Sequence, residues 1–137
     1  MVAIEELETL LKDDIKVRVA GVDPDGVLRG KVMAKEKFLG SIKSGFGFSS
    51  AIFGWDMHDA LYTTKTIIAG SEEGYADFIA HPDLSSFRRL PFEDDIPFFL
   101  LTFTSDGQPV HACARSSIKA LTQRLKDGGF TAWAGGK

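Results

Sequence analysis

A chain of 137 residues, 44% hydrophobic and 26% charged, has the size and composition of one soluble globular domain, long enough to bury a core without disulfide staples. Sixteen basic against nineteen acidic residues leave a net charge of −3, with no basic footprint for nucleic acid, and no apolar run reaches the roughly 18 residues of a membrane span. Cys113 is the only cysteine, which excludes an internal disulfide and any paired-cysteine metal site and makes a cytoplasmic, reducing setting the expectation.

The opening MVAIEELETLLKDD is acidic and amphipathic, unlike a signal or transit peptide. Ile4, Leu7, Leu10 and Leu11 recur at helical spacing and predict a helix over about residues 3–13. Lys16 to Asp23 alternates apolar and polar residues, as a half-buried strand does. Asp23-Pro24-Asp25-Gly26 is a turn in which Pro presets φ, Asp bonds nearby backbone and Gly accepts positive φ. Val27 to Met33 returns as the second strand of a hairpin. Lys35 to Ser44 reads as a helix stopped by Gly45.

Residues 45–57 are Gly, Ser and aromatic, and are expected to form a loop running into a short strand. Residues 63–82 are expected to be irregular. Ser85 to Leu90 is read as a strand, followed by an acidic loop over Phe92 to Pro97. Phe98 to Thr104 is apolar on both sides, the mark of a central strand. Ser105-Asp106-Gly107-Gln108 is a hairpin-type turn. Ile118, Leu121 and Leu125 mark a helix over 115–127 that Gly128-Gly129 closes, and Phe130 to Ala134 is expected to open a further strand. A hairpin followed by a helix that packs across a mixed sheet is an α+β layout of the β-grasp, ubiquitin-like kind.

Most chemical motifs are incomplete. Gly26 to Lys31 has three residues between its glycines where a phosphate loop has four, and Val32 stands where Ser or Thr is needed. Gly45 to Ser50 resembles a dinucleotide fingerprint but follows a helix instead of preceding one. Asp23 and Asp25 resemble the start of a calcium loop without its closing Glu. His58, His81 and His111 show no metal-ligand spacing. On a strand His111 and Cys113 would share a face, a conceivable nucleophile pair without a third, orienting group. Arg88 and Arg89 should point to opposite faces. Trp55-Asp56 stands out, because a carboxylate beside an indole can hold a cation by charge and by the negative face of the ring. The chain also has 11 Phe, crowded into Phe46–Phe53 and Phe98–Phe103. Phe46, Phe48, Phe53 and Trp55 are expected to be partly exposed, as a surface covered by a partner would be.

Three stretches together carry a resemblance: Val22-Asp-Pro-Asp-Gly-Val-Leu-Arg-Gly-Lys31, Phe48-Ser-Ser-Ala-Ile-Phe-Gly-Trp-Asp56, and Asp83-Leu-Ser-Ser-Phe-Arg-Arg-Leu-Pro-Phe92 with Ala114-Arg-Ser-Ser-Ile118 opening the last helix. In order and spacing, over roughly residues 5–134, the chain resembles the N-terminal β-grasp domain of the glutamine synthetase family. The likeness is to the divergent branch of γ-glutamyl-polyamine synthetases and fungal glutamine-synthetase-like proteins. The resemblance implies residues 1–112 as that domain, and 113–137 as a linking helix and first strand of a catalytic domain. It also implies an ATP-dependent ligase in which glutamate becomes γ-glutamyl phosphate and is attacked by ammonia or an amine, with Mg2+ or Mn2+ organising the phosphates. The metal ligands and ATP pocket would lie in the catalytic domain, whose first Glu-x-Glu strand is not found at Trp133-Ala-Gly-Gly-Lys137. No metal ligand is therefore expected here, and the chain alone is expected to be inactive.

In the family, active sites lie between neighbouring subunits of a homo-oligomeric ring. A loop of the N-terminal domain, often Phe-Asp-Gly-Ser-Ser, closes the amine end of the neighbour's site. The matching place here reads Phe53-Gly-Trp-Asp-Met57, which makes Asp56 the candidate catalytic acidic residue, a carboxylate that binds and deprotonates the amine, with Trp55 as a candidate substrate-binding wall. This departure points from ammonia towards a larger amine. A rival expectation is a free-standing β-grasp interaction module without catalysis.

Overall fold

The computed structural model describes residues 4–70, 72 and 74–135. Helix α1 (Ile4–Leu10) leads into strand β1 (Lys16–Val22), which pairs antiparallel with β2 (Leu28–Ala34), Lys16 opposite Ala34 and Val22 opposite Leu28. Helix α2 (Lys35–Ser41) follows at once, as the hairpin-then-helix reading requires. The chain continues through β3 (Phe46–Ser49), β4 (Asp77–Leu90), β5 (Ile96–Ser105) and the short β6 (Gln108–Pro109) to helix α3 (Ala114–Asp127). The sheet order is β2-β1-β5-β4-β3, with β6 on the end of β5. β1 and β5 run parallel, Arg18 to Ala20 opposite Phe98 to Leu100, and the other pairings are antiparallel. A mixed sheet with a parallel central pair, and a helix across one face after the first hairpin, is the β-grasp arrangement expected from the sequence.

The alternation of β5 divides its side chains between two cores. Phe99, Leu101 and Phe103 enter the main core with Val17, Val19, Met33 and Phe38; Ile96 and Phe98 enter a smaller one with Ala20 and Leu90. Phe38 brings α2 onto the sheet by stacking on Phe99, ring centroids 4.7 Å apart. Leu7 and Leu11 bury the apolar stripe of α1 in the same core. Its C-terminal carbonyls meet cations, as the helix dipole favours: Lys35 Nζ donates to the carbonyls of Leu11 (3.2 Å) and Lys12 (3.1 Å), and Arg89 Nη2 to that of Leu10 (3.3 Å). Gly21 is required by a close approach, since a Cβ there would run into the Phe103 ring. Gly45 ends the α2 segment with φ of +73°, as expected of a helix stop.

Five sequence expectations need correction. In residues 45–57 the strand comes first, as β3, and a 3-10 turn (Ser50–Phe53) follows, its start capped where Ser49 Oγ accepts from the Ala51 N–H. β4 already begins at Asp77 and includes Pro82, in a stretch expected to be irregular. Pro is tolerated because β3 pairs only with Asp77 to Ala80; beyond that β4 is an edge strand and the missing N–H breaks no ladder. Residues 130–134 form no strand and are exposed. His111 and Cys113 lie in a turn; Cys113 is fully buried and His111 exposed, so they share no strand face. Phe53 is buried in the core, while Phe46, Phe48 and Trp55 are half-buried.

Candidate functional site

Trp55 and Asp56 sit at the start of a tight loop that leaves the core at Phe53. Phe53 packs edge-on against Phe103, centroids 5.4 Å apart at 90°. The Gly54 N–H closes the 3-10 turn on the Ala51 carbonyl, and a bridge pairs Trp55 with Leu61. The Asp56 N–H donates to the Ala60 carbonyl (3.0 Å), and the Tyr62 N–H donates to the Gly54 carbonyl (2.9 Å). Within this ring Asp56 Oδ1 accepts from the backbone N–H of His58 (2.8 Å) and of Ala60 (3.0 Å). This is the Asx geometry that short carboxylates favour, and it is completed by Asp59 in the left-handed region, φ +62°. The backbone bonds from Ala60 and then His58 hold the Asp56 carboxyl below the usual range, so it is an anion at neutral pH.

Arg29 on β2 ties this loop to the first hairpin. Its Nε donates to Asp23 Oδ2 (2.8 Å), its Nη1 to Asp59, and its Nη2 to the backbone carbonyl of Asp56 (3.0 Å). Its guanidinium also lies 5.5 Å from the centroid of the Trp55 ring. The cation that the indole meets within this chain is therefore Arg29. The hydrogen bonds that Arg29 donates, to Asp23 first and then to Asp59, raise its pKa. Asp23 is buried, and its Oδ1 accepts from the N–H of Asp25 (3.0 Å) and Val27 (2.8 Å), so it is a turn anchor and not a calcium ligand. Two carboxylates, Asp23 and Asp59, thus pair with one guanidinium, and Asp56 meets it through its backbone carbonyl. The surplus is negative, and Asp56 takes part in no ion pair among the described residues.

The other motifs dissolve into structure. Lys31 packs its ammonium between Phe46 and Phe48, 4.9 and 5.0 Å from the ring centroids, on a strand and not in a phosphate loop. Arg88 lies over Phe98 (4.6 Å) and Arg89 binds Asp14, on opposite faces as expected. Among the described residues no group of three or more His, Cys, Asp or Glu could hold a metal ion. A cleft of about 330 Å³ runs between Ile67, Tyr75, Phe78 and Val110, and neither Trp55 nor Asp56 lines it.

Two features escaped the sequence reading. One is the role of Arg29, whose partners lie 6 to 30 residues away in the chain. The other is Asp83, in the irregular stretch of β4, whose Oδ2 receives both Arg115 Nη2 (2.7 Å) and Lys119 Nζ (2.8 Å) from α3. Burial alone would raise the Asp83 pKa. The bonds from Lys119, Ser85 and Arg115 outweigh it and hold the carboxyl well below the usual range. The i, i+4 spacing of Arg115 and Lys119 on one helix face was the available signal. No side chain of α3 is buried, and Ile118 and Leu121 are 59% and 51% exposed, so charge rather than apolar packing ties this helix to the sheet.

No protein-family model matches the chain. It is 43% identical over 130 residues to type-1 glutamine synthetase 2 of Dictyostelium discoideum, covering 90% of this chain and 25% of that protein. It is 29% identical over 120 residues to a glutamate–isopropylamine ligase of a Pseudomonas species, covering 86% and 26%. It is 30% identical over 141 residues to a gamma-glutamylethanolamide synthetase of Streptomyces coelicolor, covering 96% and 29%. The chain thus spans between a quarter and a third of the length of these curated relatives. Among solved structures, its fold is similar to a GmaS–ADP complex (TM-score 0.67, 18% identity, 93% of this chain and 26% of that one). It is also similar to a novel glutamine synthase homologue (TM-score 0.69, 22% identity, 82% and 27%). By sequence over nearly its whole length, and by fold, the chain is a homologue of glutamine synthetase family members and has the fold of their N-terminal domain.

Proposed function

We propose that the chain acts as the N-terminal domain of an ATP-dependent ligase that joins the γ-carboxyl of glutamate to a small organic amine. Residues 1–112 form the β-grasp unit and 113–137 lead towards the catalytic part. The domain contributes a subunit interface in a cytoplasmic homo-oligomeric ring and presents the Trp55–Tyr62 loop to a neighbour's active site. The observation that carries this reading is Asp56: an anion at neutral pH, held by backbone N–H groups, free of an ion pair among the described residues, beside a half-buried indole. An ammonium group docked there gains Coulomb attraction, and the carboxylate can take the proton that the amine must lose before it attacks an acyl phosphate. The named substrates of two relatives, isopropylamine and the amine of an ethanolamide, are small organic amines and support a site wider than ammonia needs.

ATP and a divalent metal would supply phosphoryl activation of glutamate. In this reading both would be held by the catalytic part of the full-length enzyme, and this domain's own contribution is to the amine half of the reaction. The test is amine-dependent phosphate release by the full-length ligase, with glutamate and MgATP, across ammonia and C2–C4 primary amines. Faster turnover with the organic amines is expected. Turnover with ammonia alone would overturn the substrate class, and none with any amine would overturn the ligase reading.

A further inference from the structure

The hydrogen bonds within the Trp55–Tyr62 loop give it shape but do not place it. Asp56 to Ala60, Asp59 to Asp56 and Tyr62 to Gly54 all close locally. At its start the loop is fixed by Phe53 in the core. Among the described residues, the polar bonds that reach this loop from outside come from one side chain. We propose that Arg29 is the positioning residue of the amine-site loop: its guanidinium clamps the Asp59 carboxylate, the Asp56 carbonyl and the Trp55 ring to the rigid Asp23 turn. This inference rests on the ligase reading for its functional half and on geometry alone for its structural half.

The details of the clamp matter for chemistry. Arg29 takes the backbone oxygen of Asp56 and leaves its carboxylate to the backbone N–H groups of His58 and Ala60. The guanidinium charge is met instead by Asp23 and Asp59. Asp56 is thereby oriented without being neutralised, as a group that must receive a cationic amine should be. Trp55 is held by the same cation, which leaves the indole to serve as a wall for the alkyl part of the substrate. The guanidinium serves its three partners from three different nitrogens, Nε, Nη1 and Nη2; a lysine ammonium also has three donors, but on one nitrogen, which does not reproduce that spread.

The test uses the chain carrying Trp133→Phe, so that Trp55 is the single remaining tryptophan. Amide hydrogen exchange at His58, Ala60 and Tyr62 is compared with that at Phe99 and Leu101 in the central strand. Arg29→Gln and Arg29→Lys are each expected to speed loop exchange at least tenfold, to leave the central strand unchanged, and to increase acrylamide quenching of Trp55. Asp59→Asn takes the charge out of one arm of the clamp, turning an ion pair into a neutral hydrogen bond, while preserving the Asp23 pair and a residue tolerant of positive φ, so it is expected to remain folded and to speed the same loop amides. Unchanged loop exchange in Asp59→Asn and in the folded Arg29 variants would overturn the clamp, as would equal acceleration in the central strand. In the full-length ligase Arg29→Lys is expected to raise the amine KM at least tenfold with the glutamate KM unchanged. A loosened loop with an unchanged amine KM would overturn the amine-site reading while leaving the clamp in place.

Discussion

Phe103 links the core to the loop, and its truncation gives a quantitative test of the packing. The ring is 1% exposed and makes edge contacts with Phe48 (5.6 Å) and Phe53 (5.4 Å). Its other wall is Gly21, which has no side chain to swing into the space the ring leaves. A Phe→Ala change in a core costs about 3–5 kcal/mol, and a site that cannot collapse belongs at the upper end, so about 4–5 kcal/mol is expected for Phe103→Ala. That is a large fraction of the roughly 5–15 kcal/mol that holds a domain of this kind together. The assay is urea unfolding followed by far-UV circular dichroism, with unchanged m as the condition for reading the midpoint shift as stability. Phe92→Ala is the control: that ring is 85% exposed, and its removal should shift stability by no more than about 0.5 kcal/mol. A cost below about 2 kcal/mol for Phe103→Ala, or an equal cost for the two, would refute the assignment of Phe103 to a rigid core wall.

Asp83→Asn should detach α3, seen as faster amide exchange across Ala114–Asp127 with the sheet unaffected. The pH dependence has a definite sign: the folded Asp83 pKa lies below the unfolded one, so its stabilisation is complete above about pH 4 and is lost as the pH falls further. Acid titration of the parent should show that loss, and Asp83→Asn should be flatter over the same window. The isolated 137-residue chain, incubated with ATP, glutamate, magnesium and small amines, should release no phosphate above background; chain-dependent release would contradict a domain without its own catalytic centre.

The legible parts of the fold were those where local chemistry and tertiary position agree. Phe98 to Thr104 is apolar on both sides because β5 is flanked by β1 and β4 and buried on both faces. The Asp23–Gly26 turn carries its own capping groups. Asp77 to Pro82 was missed because it continues the mixed stretch broken by Gly70 and Gly74, and its Pro82 fits a strand only through the edge position that short β3 leaves. The helix over 114–127 was visible in its periodicity. Periodicity also implied a buried face, whereas Ile118 and Leu121 remain uncovered in this chain. At the candidate site, Trp55 and Asp56 stood out by residue type, and the Asx closure of Asp56 on His58 and Ala60 is a local pattern. Arg29 could not be singled out from spacing, because its role exists only once the hairpin and the loop meet.

Asp56→Asn in the full-length ligase is the most direct test of the claim that this domain supplies an amine-site carboxylate acting as a base. Asparagine keeps an oxygen for the His58 and Ala60 N–H groups, so the loop should hold its shape while the charge disappears. Amine-dependent turnover at subsaturating amine is expected to fall about 100-fold, the order that loss of a general base costs, while glutamate-dependent ADP formation without amine changes much less. Equal amine-dependent turnover for Asp56→Asn and the parent would contradict the claim and leave the domain a structural role alone.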